Sequence, residues 1–145
     1  MAFRFSLATV LRVRESIEKR EELALQRIQF EIASVRRRIE ELSEEITNRH
    51  NDRNMAMKKP VPAYILQSIL GEVNEAIEKR QTLADSLQML EREREKRKMA
   101  YQTAHTNRQM LTDMLTQQQN AHEQEQVRSQ QKYIDEIFVT RSHRS

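Results

Sequence analysis

Apolar residues recur at alternating spacings of three and four along two stretches of this chain. The first is Leu25, Ile28, Ile32, Val35, Ile39, Leu42 and Ile46; the second opens with Leu66, Ile69, Val73 and Ala76 and continues through Leu83, Leu87 and Leu90. Such spacing keeps one stripe of a helix turned toward a partner helix, so each run reads as one half of a coiled coil. Between them lies Lys58-Lys59-Pro60-Val61-Pro62, whose prolines lack the N–H and the freedom in φ that a continuous helix needs. The pattern predicts an all-α fold, an antiparallel two-helix coiled-coil hairpin with a longer, overhanging second helix. Ser6 or Thr9 is placed to cap helix 1, over about 6–54; a turn follows at about 55–62. Helix 2 then covers about 63–138, with its one glycine, Gly71, near the start, before a short flexible C-terminus. All of this reads as a single coiled-coil domain over 1–145.

In an antiparallel hairpin, facing residues have numbers of constant sum, and a sum of about 115 aligns both patterns at once. It sets Ile46 opposite Ile69, Leu42 opposite Val73, Ile39 opposite Ala76, Ile32 opposite Leu83, Ile28 opposite Leu87 and Leu25 opposite Leu90. The same register sets Glu21 against Arg94, Glu18 against Arg97 and Arg80 against Val35. A slip of one heptad would bury a charge against hydrocarbon, at about several kcal/mol. Farther on, Leu11 faces Ala104, Leu7 lies near Arg108 and Leu111, and Phe3, Phe5 and Val10 close the end against Met110, Met114 and Leu115. Everything after about Leu115 then overhangs. Thr116 to Gln131 fits an unpartnered helix, with seven glutamines and only Val127 as an aliphatic residue larger than alanine. Tyr133, Ile134, Ile137 and Phe138 follow as an apolar stripe with no mate in this chain, which invites another molecule.

Composition agrees with long helices: 37% hydrophobic and 32% charged residues, one Gly and two Pro leave little for a many-turned globule. The absence of cysteine excludes disulfides and thiolate metal sites and is compatible with a reducing compartment. With no signal-like apolar segment and no apolar stretch approaching ~20 residues, the expectation is a cytoplasmic protein with no direct membrane insertion. The net charge is +3, from 25 basic and 22 acidic residues interleaved along both helices. Arg36-Arg37-Arg38 and the run from Arg92 to Lys98 have Glu40, Glu41, Glu91, Glu93 and Glu95 beside them, so they read as solvated helix faces and no nucleic-acid partner is expected.

Catalytic chemistry has no foothold. His50, His105, His122 and His143 are scattered and read as solvent-facing, and there is no HExxH, P-loop or nucleophile elbow. Two long helices also make no cleft that excludes water. The expectation is a protein that is not an enzyme, with no cofactor and no metal. The polar seam residues Arg80, Glu18, Glu21, Arg94 and Arg97 read as devices that fix register, or alternatively as a soft point where the helices bend or open.

The opening Phe3-Arg4-Phe5-Ser6-Leu7 with Val10-Leu11-Arg12, the segment Glu75-Ala76-Ile77-Glu78, and Gln131-Lys132-Tyr133-Ile134-Asp135-Glu136 carry a resemblance. They resemble the FliJ family, the coiled-coil component of flagellar type III export, across nearly the whole chain. The resemblance implies a stalk similar to the gamma subunit of rotary ATPases, set at the flagellar base on the cytoplasmic face of the inner membrane. It implies three partners: the hexameric export ATPase, the cytoplasmic linker of the export gate, and export chaperones. It places ATPase binding on Arg4, Arg12, Lys132, Tyr133, Ile134, Asp135, Glu136, Ile137 and Phe138. Gate binding falls on Ile69, Val73, Ala76 and Arg80, the last standing where the family pattern carries a histidine. A monomer is expected, since the proline-bearing break lets the chain satisfy its own seam. The alternatives are the equivalent stalk of an injectisome and a generic coiled-coil adaptor.

Overall fold

A computed structural model describes residues 3–144. Two helices account for nearly all of them, α1 over Ala8–Ala56 and α2 over Ala63–Arg144, with no strand among the described residues. The fold is the expected all-α antiparallel hairpin. The first turn of α1 closes on backbone carbonyls, Ala8 N to Phe5 O at 3.1 Å and Leu11 N to Leu7 O at 2.8 Å, and neither Ser6 nor Thr9 supplies a capping bond. At its other end the bonds tighten to three-residue spacing, Lys58 N to Met55 O and Lys59 N to Ala56 O, just before Pro60 ends the supply of N–H groups. The carbonyl of Pro62 then accepts the first bond of α2, from Ile65 N at 3.1 Å. Nothing lies within 4 Å of where a Cβ on Gly71 would sit, so packing does not require glycine there. α2 stays helical to Arg144, past the end expected near 138, with no Gly or Pro in that stretch to stop it.

Contacts divide the chain into two compact units, Glu21–Ala100 and Met1–Arg20 with Tyr101–Ser145. In the first, Leu42, Ile46, Val73 and Ala76 form a buried cluster against which Ile69 and Leu83 pack, and Ile28 and Ile32 are buried as well. Leu42 is only 1% exposed. Complete burial of such a side chain contributes about 1.5–3 kcal/mol. Cross-helix bonds flank this core: Arg49 Nε to Glu72 at 3.0 Å, Arg80 Nη1 to Ser43 Oγ at 3.4 Å, and Arg36 Nη2 to Glu91 Oε1 at 2.9 Å.

In the second unit Ala104 is buried and Leu7, Leu11, Ile17, Leu111 and Leu115 are half-buried. Arg108 Nε donates to Glu18 Oε2 at 2.7 Å, and the Phe3 and His122 rings meet with centroids 5.5 Å apart.

The seam residues are those expected, but the register is not. A constant sum of about 115 would set Arg49 opposite Leu66, Ser43 opposite Glu72, Arg36 opposite Lys79, Glu18 opposite Arg97 and Phe3 opposite Thr112. The observed partners are Glu72, Arg80, Glu91, Arg108 and His122, each farther along α2. The apolar side chains do not separate the two registers, since Leu42 and Ile46 share one cluster with Ile69, Val73 and Ala76. Part of the offset follows from helix geometry. Side chains lean toward the N-terminus of their own helix, so in an antiparallel pair the long ones from α1 and α2 reach past each other in the same sense. The anticipated charged layers do not form. Arg97 bonds Glu93 on its own helix at 3.2 Å, Arg94 lies 3.8 Å from Glu95, and Oε2 of Glu21 is buried without a hydrogen-bond partner.

Two further expectations change with the register. Thr116 to Ala121 are all exposed, as expected for the overhang after Leu115, but His122 within it is half-buried against Phe3. Val10, Met110 and Met114 do not close the end as core; all three are exposed.

Candidate functional surfaces

From Glu123 to His143 every residue of α2 is exposed. Within this stretch Tyr133, Ile134, Ile137, Phe138 and Val139 are large apolar side chains in water, Phe138 being 71% exposed. Helical spacing gathers the first four into a stripe, and Val139, which sequence reasoning left out, widens it. The polar residues between them make bonds only within the helix: Gln131 Nε2 donates to Asp135 Oδ1 at 3.2 Å, and Thr140 Oγ1 to the Glu136 carbonyl at 2.8 Å. Lys132 is exposed beside them, and Arg4 and Arg12 are exposed on the N-terminal segment of the same unit. Each of the four principal side chains would contribute up to about 1.5–3 kcal/mol on full burial. Such a surface can bind a partner.

The residues assigned to the gate sit differently. Val73 and Ala76 are buried in the seam, Ile69 packs against their cluster, and Arg80 is half-buried with its guanidinium on Ser43. The structure thus brings all four together along one strip of α2, but two of them are closed off by α1. Over Leu42 and Ala76 runs a shallow groove of about 240 Å³, rimmed by Arg38, Glu45 and Arg49 from one helix and Glu72, Glu75 and Lys79 from the other.

A charged cluster lies within the unit that carries the C-terminal stripe. Glu18 and Arg108 are each about one-fifth exposed, with His105 Nδ1 3.7 Å from Glu18 and 3.4 Å from Arg108 Nη2. The hydrogen bond to Glu18 raises the pKa of Arg108 above its ordinary value, against a smaller opposing effect of desolvation. Arg108 also donates to Gln109 and Thr112, which orients its fork on α2. The site joins the helices and is already satisfied, so it offers no open position for a ligand. No group of His, Cys, Asp and Glu among the described residues is arranged to hold a metal ion.

Sequence reasoning also missed Phe30, 74% exposed on α1. The available signal is phase: Ile28 and Ile32 belong to the seam, and Phe30, two positions from each, must point elsewhere.

No curated protein and no solved structure matches the chain. A family model described as Flagellar FliJ protein matches residues 3–145. With the match running the length of both helices, from the Phe3 that packs on His122 to the end of the uncovered apolar stripe, the chain belongs to the FliJ family of flagellar export components.

Proposed function

We propose that this protein is the non-enzymatic coiled-coil stalk of the flagellar type III export apparatus, binding the export ATPase ring and linking it to the export gate. Family membership makes it a component of flagellar protein export; the stalk role is the finer reading. One observation carries it: the C-terminal part of α2 holds Tyr133, Ile134, Ile137 and Phe138 in water, in a stretch where every residue from Glu123 to His143 is exposed. A partner with an apolar lining gains by covering them, and a hexameric ATPase with a central pore has the geometry to receive a single helix end. Arg4, Arg12, Lys132, Asp135 and Glu136 are exposed in the same unit and would set orientation at the rim of that contact.

Gate linkage through Ile69, Val73, Ala76 and Arg80 would use the open edges of the strip, Ile69 and Arg80, with Val73 and Ala76 holding that part of α2 in place. Export chaperones would be further partners. No helix among the described residues is long and apolar enough to cross a membrane, and the proposed location is peripheral, on the cytoplasmic side at the flagellar base.

The test is a pull-down of the export ATPase by the full chain. Ile134→Ser combined with Phe138→Ser should weaken capture while leaving helicity and melting unchanged, because both side chains are exposed. Equal capture by parent and double variant would overturn the assignment of this stripe.

A further inference from the structure

The turn end of the Glu21–Ala100 unit differs in charge from the rest of that unit. Acidic and basic residues are interleaved along most of this unit, yet residues 53–71 hold Arg53, Lys58 and Lys59 and no acid. The nearest carboxylates on either side, Asp52 and Glu72, are both held by Arg49, at 3.5 and 3.0 Å. The next one along, Glu75, is held by Lys79 at 3.3 Å. No carboxylate in this unit therefore compensates Lys58 and Lys59, which stand exposed in the turn.

The same end exposes large apolar side chains: Met55, Met57 and Tyr64 are all about two-thirds open to solvent, around a turn stiffened by Pro60 and Pro62. The buried cluster of this unit does not include them. The methionines are flexible and fill irregular surroundings, and a tyrosine suits a boundary where its ring is covered and its hydroxyl stays wet. Cations without acids, beside such side chains on a projecting turn, fit a soft anionic interface better than a shaped protein pocket. The C-terminal stripe lacks this character, because Lys132 and Arg141 are interleaved there with Asp135 and Glu136.

We propose that this turn is a docking surface for an anionic lipid bilayer, with Met55, Met57 and Tyr64 entering the headgroup region and Lys58 and Lys59 pairing with lipid phosphates. Docking of this kind is peripheral and reversible. It goes beyond the stalk function, which draws on neither these residues nor lipid.

Sedimentation of the full chain with vesicles of phosphatidylglycerol, compared with phosphatidylcholine, tests it. The parent should pellet with phosphatidylglycerol alone, and less so as salt is raised. Each cation near an anionic surface strengthens binding about fivefold, so Lys58→Gln with Lys59→Gln should weaken it about 25-fold. Met55→Ser, Met57→Ser and Tyr64→Ser together should also release the chain, with circular dichroism confirming that the helices persist. Ile134→Ser with Phe138→Ser should still bind vesicles, which separates this proposal from the ATPase assignment. A parent that ignores phosphatidylglycerol, or turn variants that bind as the parent does, would overturn it. Retention by immobilised polyglutamate but not by vesicles would reassign the turn to an acidic protein and equally overturn the lipid assignment.

Discussion

Glu18 and Arg108 join the two helices through a 2.7 Å bond between Oε2 and Nε, with each side chain about four-fifths withdrawn from solvent. Arg108→Ala should lower the melting temperature, since it leaves a half-buried carboxylate without its main partner. Arg97→Ala should change stability by no more than about 0.3–0.5 kcal/mol, because Arg97 is exposed and bonds only Glu93 one turn away. The Glu18 bond raises the pKa of Arg108, so the stabilisation tied to that cation is fully present below its unfolded value and is lost only as pH rises through the raised folded value. That window lies beyond ordinary alkaline titration. Melting curves of the two variants decide the matter, and a larger loss from Arg97→Ala would restore the pairing read from the sequence.

The contrast between these arginines shows what was legible in the chain and what was not. The three-four spacing of Ile28, Ile32, Leu42, Ile46, Val73 and Ala76 identified residues that are all buried, because burial depends only on phase around each helix. Register depends on something the letters do not state. A fixed sum treats side chains as pointing straight across, whereas those on antiparallel helices lean in opposite directions along the seam. Arg36 with Glu91 and Glu18 with Arg108 stand farthest from the expected sum, and Arg97 also has Glu93 available locally at less entropic cost. The apolar C-terminal stripe was legible for the opposite reason, since exposure there needs only the absence of a facing helix. His122 was misread with the register, because its apolar partner Phe3 lies at the far end of the chain.

Leu42→Ala should destabilise the fold by about 2–5 kcal/mol, by lost burial plus a cavity bounded by Ile46, Val73 and Ala76. Phe30→Ala removes a larger side chain but should stay within about 0.5 kcal/mol of the parent, because that ring is mostly in water. Urea titration of both variants measures the difference, and comparable losses would mean that Phe30 is covered in solution.

Cysteines introduced in place of Phe3 and His122 should be joined within one chain by a short bismaleimide. Cysteines in place of Phe3 and Thr112 should not, because Thr112 lies ~15 Å back along α2. Gel mobility under dilute conditions reads the result. Efficient joining of the second pair, with none of the first, would return Phe3 to the register read from the sequence.

The gate assignment can be separated from packing by comparing two neighbours on α2. Val73 is buried in the seam, and Val73→Ala should cost about 1.5–2.5 kcal/mol. Any loss of gate binding in that variant would be expected to accompany a lower melting temperature. Arg80 is half-buried and makes one long bond to Ser43, at 3.4 Å. Arg80→Ala should therefore leave melting nearly unchanged, and if Arg80 contacts the gate linker directly, affinity should fall all the same. Calorimetric titration of a purified linker segment into each variant, beside its thermal melt, tells the cases apart. If affinity follows stability in both variants, or if Arg80→Ala binds as the parent does, the strip acts as core alone and the gate contact belongs on another surface.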